Sequence, residues 1–255
     1  MKTFLALLIA VFTTAAVAMS AEPSEIEPWD RIVCIQSQVE SQPNTRKLCS
    51  AFFVEADGTI YLVTAGHASA ETNQDSRLWY RDPSGKSQWV SLKGFFQGSG
   101  NPWHRDAVSD LAIAKLPVVD GTEIYLDHFK ELAISLASIC QETPPRTTAI
   151  VTAGFPLAIG AQNDISPLAV VGHVASRETS AGNSWGNEPI IFCSPALAQG
   201  TSGGPAFLQS VADDGLTVVG MYTGVVNDLS GAKLSKMVPA RIIHESIVRL
   251  QAVSD

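Results

Sequence analysis

Gln199-Gly200-Thr201-Ser202-Gly203-Gly204-Pro205 sets a serine among glycines, directly before the apolar run Ala206-Phe207-Leu208. A serine hydroxyl is a weak nucleophile near neutral pH. It becomes reactive when an imidazole takes its proton and a carboxylate fixes the tautomer of that imidazole and stabilises its charged form. Both partners stand upstream. Thr64-Ala65-Gly66-His67-Ala68 follows the apolar run Ile60-Tyr61-Leu62-Val63, and Ser109-Asp110 precedes Leu111-Ala112-Ile113-Ala114. His67 and Asp110 are therefore expected at strand ends, 43 positions apart, with Ser202 a further 92 positions along. Glycine beside the serine lets the backbone turn tightly, so that the amides of Gly200 and Ser202 can converge on the oxyanion of a tetrahedral intermediate.

Taken singly, each motif has a plain structural reading: a serine in a glycine-rich run is usually a turn, and one of five histidines is usually a core or surface residue. Their joint order and context carry the inference. His104 and Asp106 lie close to Asp110, but only Asp110 stands at the junction with the apolar run. His128 and His173 lack the strand and Ala-Gly context of His67.

In this His, Asp, Ser order the motifs resemble those of trypsin-like serine proteases, in the bacterial-type branch without an appended PDZ domain. The likeness runs in order over most of the chain, with its specific part in the three motifs, the Gly154-Phe155-Pro156 step and the closing helix. It implies an all-β fold of two six-stranded antiparallel Greek-key barrels (chymotrypsin-like) with a C-terminal helix, and a cleft between the barrels. His67, Asp110 and Ser202 would be catalytic, Gly200 and Ser202 would form the oxyanion hole, and the substrate would be a peptide or protein. By the same resemblance Ala196 would floor the primary substrate pocket, with Tyr222, Thr223 and Gly224 along its wall. With no carboxylate at Ala196, a cationic side chain would be buried unpaired, so small or medium apolar side chains are expected. In the pancreatic branch an acidic residue before the nucleophile pairs with a newly cut N-terminus. Thr201 cannot, so cleavage at Arg31-Ile32 is not expected to be needed for activity.

Two other readings compete. Gly200-Thr201-Ser202-Gly203-Gly204 also fits the Gly-x-Ser-x-Gly elbow of esterases and lipases, with Asp213, Asp214 or Asp228 and His244 as nominal partners. An elbow leads into a helix, whereas the residues after Pro205 read as strand, and His67 and Asp110 would be left without a role. The third reading is a catalytically silent binding protein with the protease fold.

Short apolar or alternating runs bounded by Gly, Pro, Asn and Asp read as strands over 31–39, 48–55, 59–63, 87–96 and 110–116, then 148–153, 168–176, 190–194, 204–208 and 216–221. The expected units are a first barrel over 28–120, a connection over 121–146 with a short helix near 128–136, a second barrel over 147–238 and a closing helix over 239–253. Pro239 suits the first helical position, and Ile242, Ile243, Ile247 and Leu250 share one face.

Lys2, the apolar segment Phe4 to Val11 and Ala16-Val17-Ala18 read as a signal peptide over 1–18, interrupted by Thr13-Thr14 and too short for a spanning helix of about 20 residues. The expectation is an extracytoplasmic protein, secreted or periplasmic, with no membrane insertion after cleavage. Loss of Lys2 leaves a formal charge near −9 against −8 for the whole chain, which disfavours nucleic acid and anionic membranes. Export permits disulfides. Cys34 and Cys49 flank a polar segment between two expected strands, which leaves Cys140 and Cys193 to pair, one of three connectivities that four cysteines allow. Zinc-type spacing is missing, acidic stretches such as 120–127 read as solvated loops, and no cofactor or metal is expected.

Overall fold

The computed structural model describes residues 27–39, 42–73, 75–96, 101–119, 121–162, 164–183, 186–209 and 216–254. The expected leader and its cleavage point lie outside them, as do Asp213 and Asp214.

Phe52, Phe53 and Val54 are all fully buried, because the strand that carries them is covered on both faces and its apolar run is continuous rather than alternating. The first sheet contains β1 (Ile32–Val39), β2 (Gln42–Ala56), β3 (Thr59–Ala65), β4 (Arg77–Arg81), β5 (Ser87–Ser91), β6 (Trp103–Arg105) and β7 (Leu111–Lys115). Its order is β5-β4-β1-β2-β3-β7-β6, and the two-residue β8 (Ile134–Ser135) adds to β2 in parallel. β4 escapes the sequence reading because Arg77, Trp79 and Arg81 face outward, while Leu78 and Tyr80 alone supply its buried face. The run expected over 87–96 stops at Ser91, whose hydroxyl accepts from the Lys93 amide and turns the chain into a short 3-10 turn over Leu92–Gly94.

The second half holds β9 (Ala149–Gly154), a small pair β10 (Ala161–Gln162) and β11 (Asp164–Ile165), then β12 (Leu168–Val174), β13 (Thr179–Asn183), β14 (Gly186–Ser194), β15 (Pro205–Leu208), β16 (Val218–Asn227) and β17 (Lys233–Pro239). Pairing runs β12-β9-β15-β16-β17-β14, and a β12–β14 pairing closes these six strands into a barrel. Ile150, Val174, Ile191, Cys193, Val219 and Met237 fill it. The whole is a chymotrypsin-like two-barrel fold with a C-terminal helix.

One turn of helix, α1 (Gly66–Ser69), follows β3, and the connecting helix α2 (Glu123–Leu132) begins five residues earlier than the sequence pattern indicates. Leu126, Phe129 and Leu132 bury its inner face, and Phe129 stacks on Phe53 with ring centroids 4.4 Å apart, so the connection is packed onto the first barrel. The closing helix α3 (Ala240–Ser254) buries Ile242, Ile243 and Ile247. Pro239 ends β17 opposite Gly220 rather than opening the helix.

The four cysteines are free, which corrects the expected pairings. In the β1–β2 register Cys34 stands opposite Ser50 while Cys49 stands opposite Ile35. Residues directly opposite share a face, and neighbours in a strand alternate, so the two thiols project from opposite faces of the hairpin and cannot bridge. Burial pushes the Cys49 and Cys193 thiols up to about 12 and Cys34 well above its ordinary range. Cys140 is partly buried, with its thiol on the Glu142 carbonyl at 3.0 Å.

Candidate active site

β3 ends and α1 begins at Gly66, whose amide donates to the Asp110 carbonyl at 3.0 Å. A side chain there would press on Asp110: a β-carbon would stand 3.0 Å from Oδ1 and 3.3 Å from the carbonyl carbon. That close approach lets the His67 amide donate to Asp110 Oδ1 at 2.7 Å while His67 Nδ1 meets Oδ2 at 2.7 Å. A carboxylate only accepts, so Nδ1 carries the proton of that bond and Nε2 is left as the acceptor of a neutral ring. The Asp110 side chain is 3% exposed and that of His67 47% exposed, an oriented imidazole with its free edge toward solvent.

Asp106, the competing carboxylate, is occupied elsewhere. Its Oδ1 accepts from the amides of Val108 and Ser109, both at 3.0 Å, and from the Ser109 hydroxyl at 2.9 Å. Its Oδ2 accepts from Arg249 of α3 at 2.9 Å. Asp106 thus builds the turn that presents Asp110 and ties it to the closing helix. His104 and His173 are exposed on β6 and β12, His128 contacts the Arg81 carbonyl, and His244 contacts Gln141.

Ser202 stands in the turn between β14 and β15. Gly200 and Gly203 have φ of +97° and +88°, a region that only glycine enters freely. Gly203 is also a contact: a β-carbon there would lie 2.0 Å from the Ser50 carbonyl oxygen. Ser50, on β2 of the first barrel, is the residue that sequence reading missed. Its amide donates to the Ser202 carbonyl at 2.9 Å, its hydroxyl donates to the Gly200 carbonyl at 2.8 Å, and the same hydroxyl accepts from the Phe155 amide at 3.0 Å. Nothing local marks it, since its partners lie more than 100 positions away.

The Leu157 amide donates to the Gln199 carbonyl at 2.6 Å, which turns the Gly200 amide of the same peptide the opposite way. Neither the Gly200 amide nor the Ser202 amide donates to any described residue. The Ser202 hydroxyl donates to the Thr223 carbonyl of β16 at 3.4 Å rather than to the imidazole. Ser202, Gly200 and His67 nonetheless line one cavity of about 480 Å³.

Of the other sequence-derived positions, Tyr222 and Thr223 are buried, Gly224 is half-buried, and Ala196 lies exposed and lines no described cavity. Thr201 is buried with its hydroxyl bonded to no described residue. Ile32, after the Arg31 junction, is fully buried within β1 opposite Phe52.

Residues 49–221 match the trypsin-like peptidase domain. The chain belongs to that family. This trypsin-like serine peptidase also shares its fold with solved proteases. The MamO protease domain of Magnetospirillum magneticum superposes with a TM-score of 0.53 at 14% identity, covering 86% of this chain and 96% of that one. The inactive form of Rv3671c from M. tuberculosis H37Rv gives 0.56 at 15% identity, covering 92% and 97%. The HtrA-type protease AlgW with a tripeptide gives 0.50 at 16% identity, covering 84% of this peptidase and 57% of that chain. At these identities the likeness is one of fold. No curated protein matches the sequence.

Proposed function

We propose that the chain is an exported serine endopeptidase that hydrolyses peptide bonds through an acyl-enzyme on Ser202. The observation that carries this reading is the two-point grip of Asp110 on His67, through the main-chain amide and Nδ1, beside a cavity that His67 shares with Ser202 and Gly200. In the reaction the Ser202 hydroxyl rotates from the Thr223 carbonyl toward His67. Oγ attacks the scissile carbonyl carbon while Nε2 takes the hydroxyl proton, and Asp110 stabilises the imidazolium without itself being protonated. The amides of Gly200 and Ser202, which donate to no described residue, receive the oxyanion. Collapse breaks the C–N bond and His67 returns its proton to the departing amine. Water then enters, gives a proton to His67 and attacks the acyl carbon, and Ser202 leaves with the proton back on Oγ. Export rests on the basic, apolar and small-residue order of residues 1–18.

An esterase elbow has less support, because the serine turn runs into the antiparallel strand β15 and His244 contacts Gln141. The test is digestion of a mixed peptide library by protein expressed from the full chain, beside Ser202→Ala, read by mass spectrometry. Cleavage by the wild type and a loss of about 10⁶-fold in the variant is expected. Equal cleavage by both, or by neither, rejects the proposal.

A further inference from the structure

On that reading, a bound peptide has its residues before the scissile bond beside β16, where the Thr223 carbonyl faces Ser202. Its residues after the bond then lie toward His67 and the first barrel. The two sides are built differently.

On the β16 side, the Tyr222 amide donates to the Gly204 carbonyl and its carbonyl accepts from the Gly203 amide, both at 2.8 Å, so its backbone is fastened to the nucleophile turn. Its phenol hydroxyl donates to the Leu197 carbonyl at 2.8 Å, which carries the ring across the gap between β16 and the segment 195–199 that leads into Ser202. The ring is buried, with Tyr222 only 2% exposed. Ser235 closes the gap from behind, donating to the Pro195 carbonyl at 2.8 Å and accepting from the Leu197 amide at 3.1 Å. A side chain entering from this direction meets the chain's own phenol. Swinging that phenol out would strand a part-buried carbonyl and expose an aromatic face.

The other side is open. The cavity of about 480 Å³ has an apolar wall in Ile35, Leu48 and Leu157. Of its charged lining, Lys47 is paired with Glu71 at 2.6 Å, whereas the Arg46 side chain has no partner among the described residues. Arg46 also borders a second hollow in which Arg77 lies over the exposed ring of Trp89, 4.2 Å from its centroid. Asp75 lines that second hollow too but is not bonded to Arg46, and a guanidinium without a partner among the described residues, in a chain of net charge −8, suits a carboxylate.

We propose that this peptidase chooses substrates on the leaving-group side: it takes only a small residue before the bond, because Tyr222 fills the space, and it reads an apolar side chain and a carboxylate after the bond, the carboxylate through Arg46. This rests on Ser202 being the nucleophile, so labelling of Ser202 by a small fluorophosphonate is measured alongside. The experiment is kcat/KM on quenched peptides with Ala or Phe before the bond and with Glu or Lys placed in turn at each of the first three positions after it. Wild type, Tyr222→Val and Arg46→Glu are compared.

The expected results are at least a tenfold preference for Ala over Phe in the wild type, lost in Tyr222→Val, and a tenfold preference for Glu over Lys at one position, inverted in Arg46→Glu. Arg46 is a surface residue, so its variant stays informative even where Tyr222→Val fails to fold. A labelled wild type that cleaves after Phe as well as after Ala, or that ignores charge after the bond, overturns the inference and leaves the peptidase reading standing. An unlabelled wild type overturns the nucleophile assignment, and the inference falls with it.

Discussion

His67 and Asp110 are joined within the first barrel over one tight turn, with Asp110 using both carboxylate oxygens and its carbonyl on residues 66 and 67. Ser202 is held differently. Its turn belongs to the second barrel, yet two of its carbonyls are fixed by Ser50 of the first barrel, its amide is open, and its hydroxyl faces Thr223. The proposed base is assembled within one barrel, from neighbouring strands whose ends lie 43 positions apart, whereas the proposed nucleophile depends on the docking of two barrels. Substitutions in the first region should therefore act on rate, and substitutions at the seam on rate and stability together.

Among substitutions that probe this contrast, the largest effect is expected from Asp110→Asn, which keeps the shape but offers the imidazole the wrong tautomer: kcat should fall about 10⁴-fold with peptide substrates. A near-normal rate would mean that the grip seen on His67 is not the catalytic one. Gly203→Ala should come next. Its methyl would stand 2.0 Å from the Ser50 carbonyl oxygen at a φ of +88°, so roughly 3 kcal/mol of stability should be lost, read by denaturant unfolding. Ser50→Ala deletes the hydroxyl that links Gly200 to Phe155 and should cost about 1–3 kcal/mol. It should also lower kcat more than it raises KM, since the turn that carries both proposed oxyanion amides loses a brace on the Gly200 carbonyl between them; an unchanged kcat would separate the seam from catalysis. The smallest effect is expected for Asp106→Asn. It keeps an acceptor for the 108–109 amides and loses a pair with half-exposed Arg249 and a long bond from the Ser246 hydroxyl, together worth about 1 kcal/mol, or a few degrees in Tm.

The same contrast explains what the sequence could be read for. The His67 and Asp110 motifs are local: a strand end, small residues that allow close approach, and the polar side chain, all within five positions. The glycines around Ser202 are local too. Ser50 is not, because a serine in an apolar strand gains its meaning from partners in the other barrel. The cysteine pairing failed at a finer level: the hairpin exists, but side-chain direction depends on register, and Cys34 falls opposite Ser50 rather than Cys49. Helix α2 begins early because its first turns are packed as well: Leu126 is buried and Phe129 stacks on Phe53, a tertiary contact that outweighs the local pattern. Tyr222 could be placed beside the serine, but a phenol that spans from β16 to Leu197 is visible only once the strand and the segment before Ser202 are set together.

Ser50 lies 150 positions ahead of the Gly200 whose carbonyl it binds. Synthesis delivers His67 and Asp110, both in the first barrel, well before Ser202. On the proposed roles, a partly made chain would hold the imidazole and carboxylate with no serine to activate, and the site would be complete only once the second barrel packs against β2. For a peptidase able to cut its neighbours, the order of the chain makes activity wait on the second barrel.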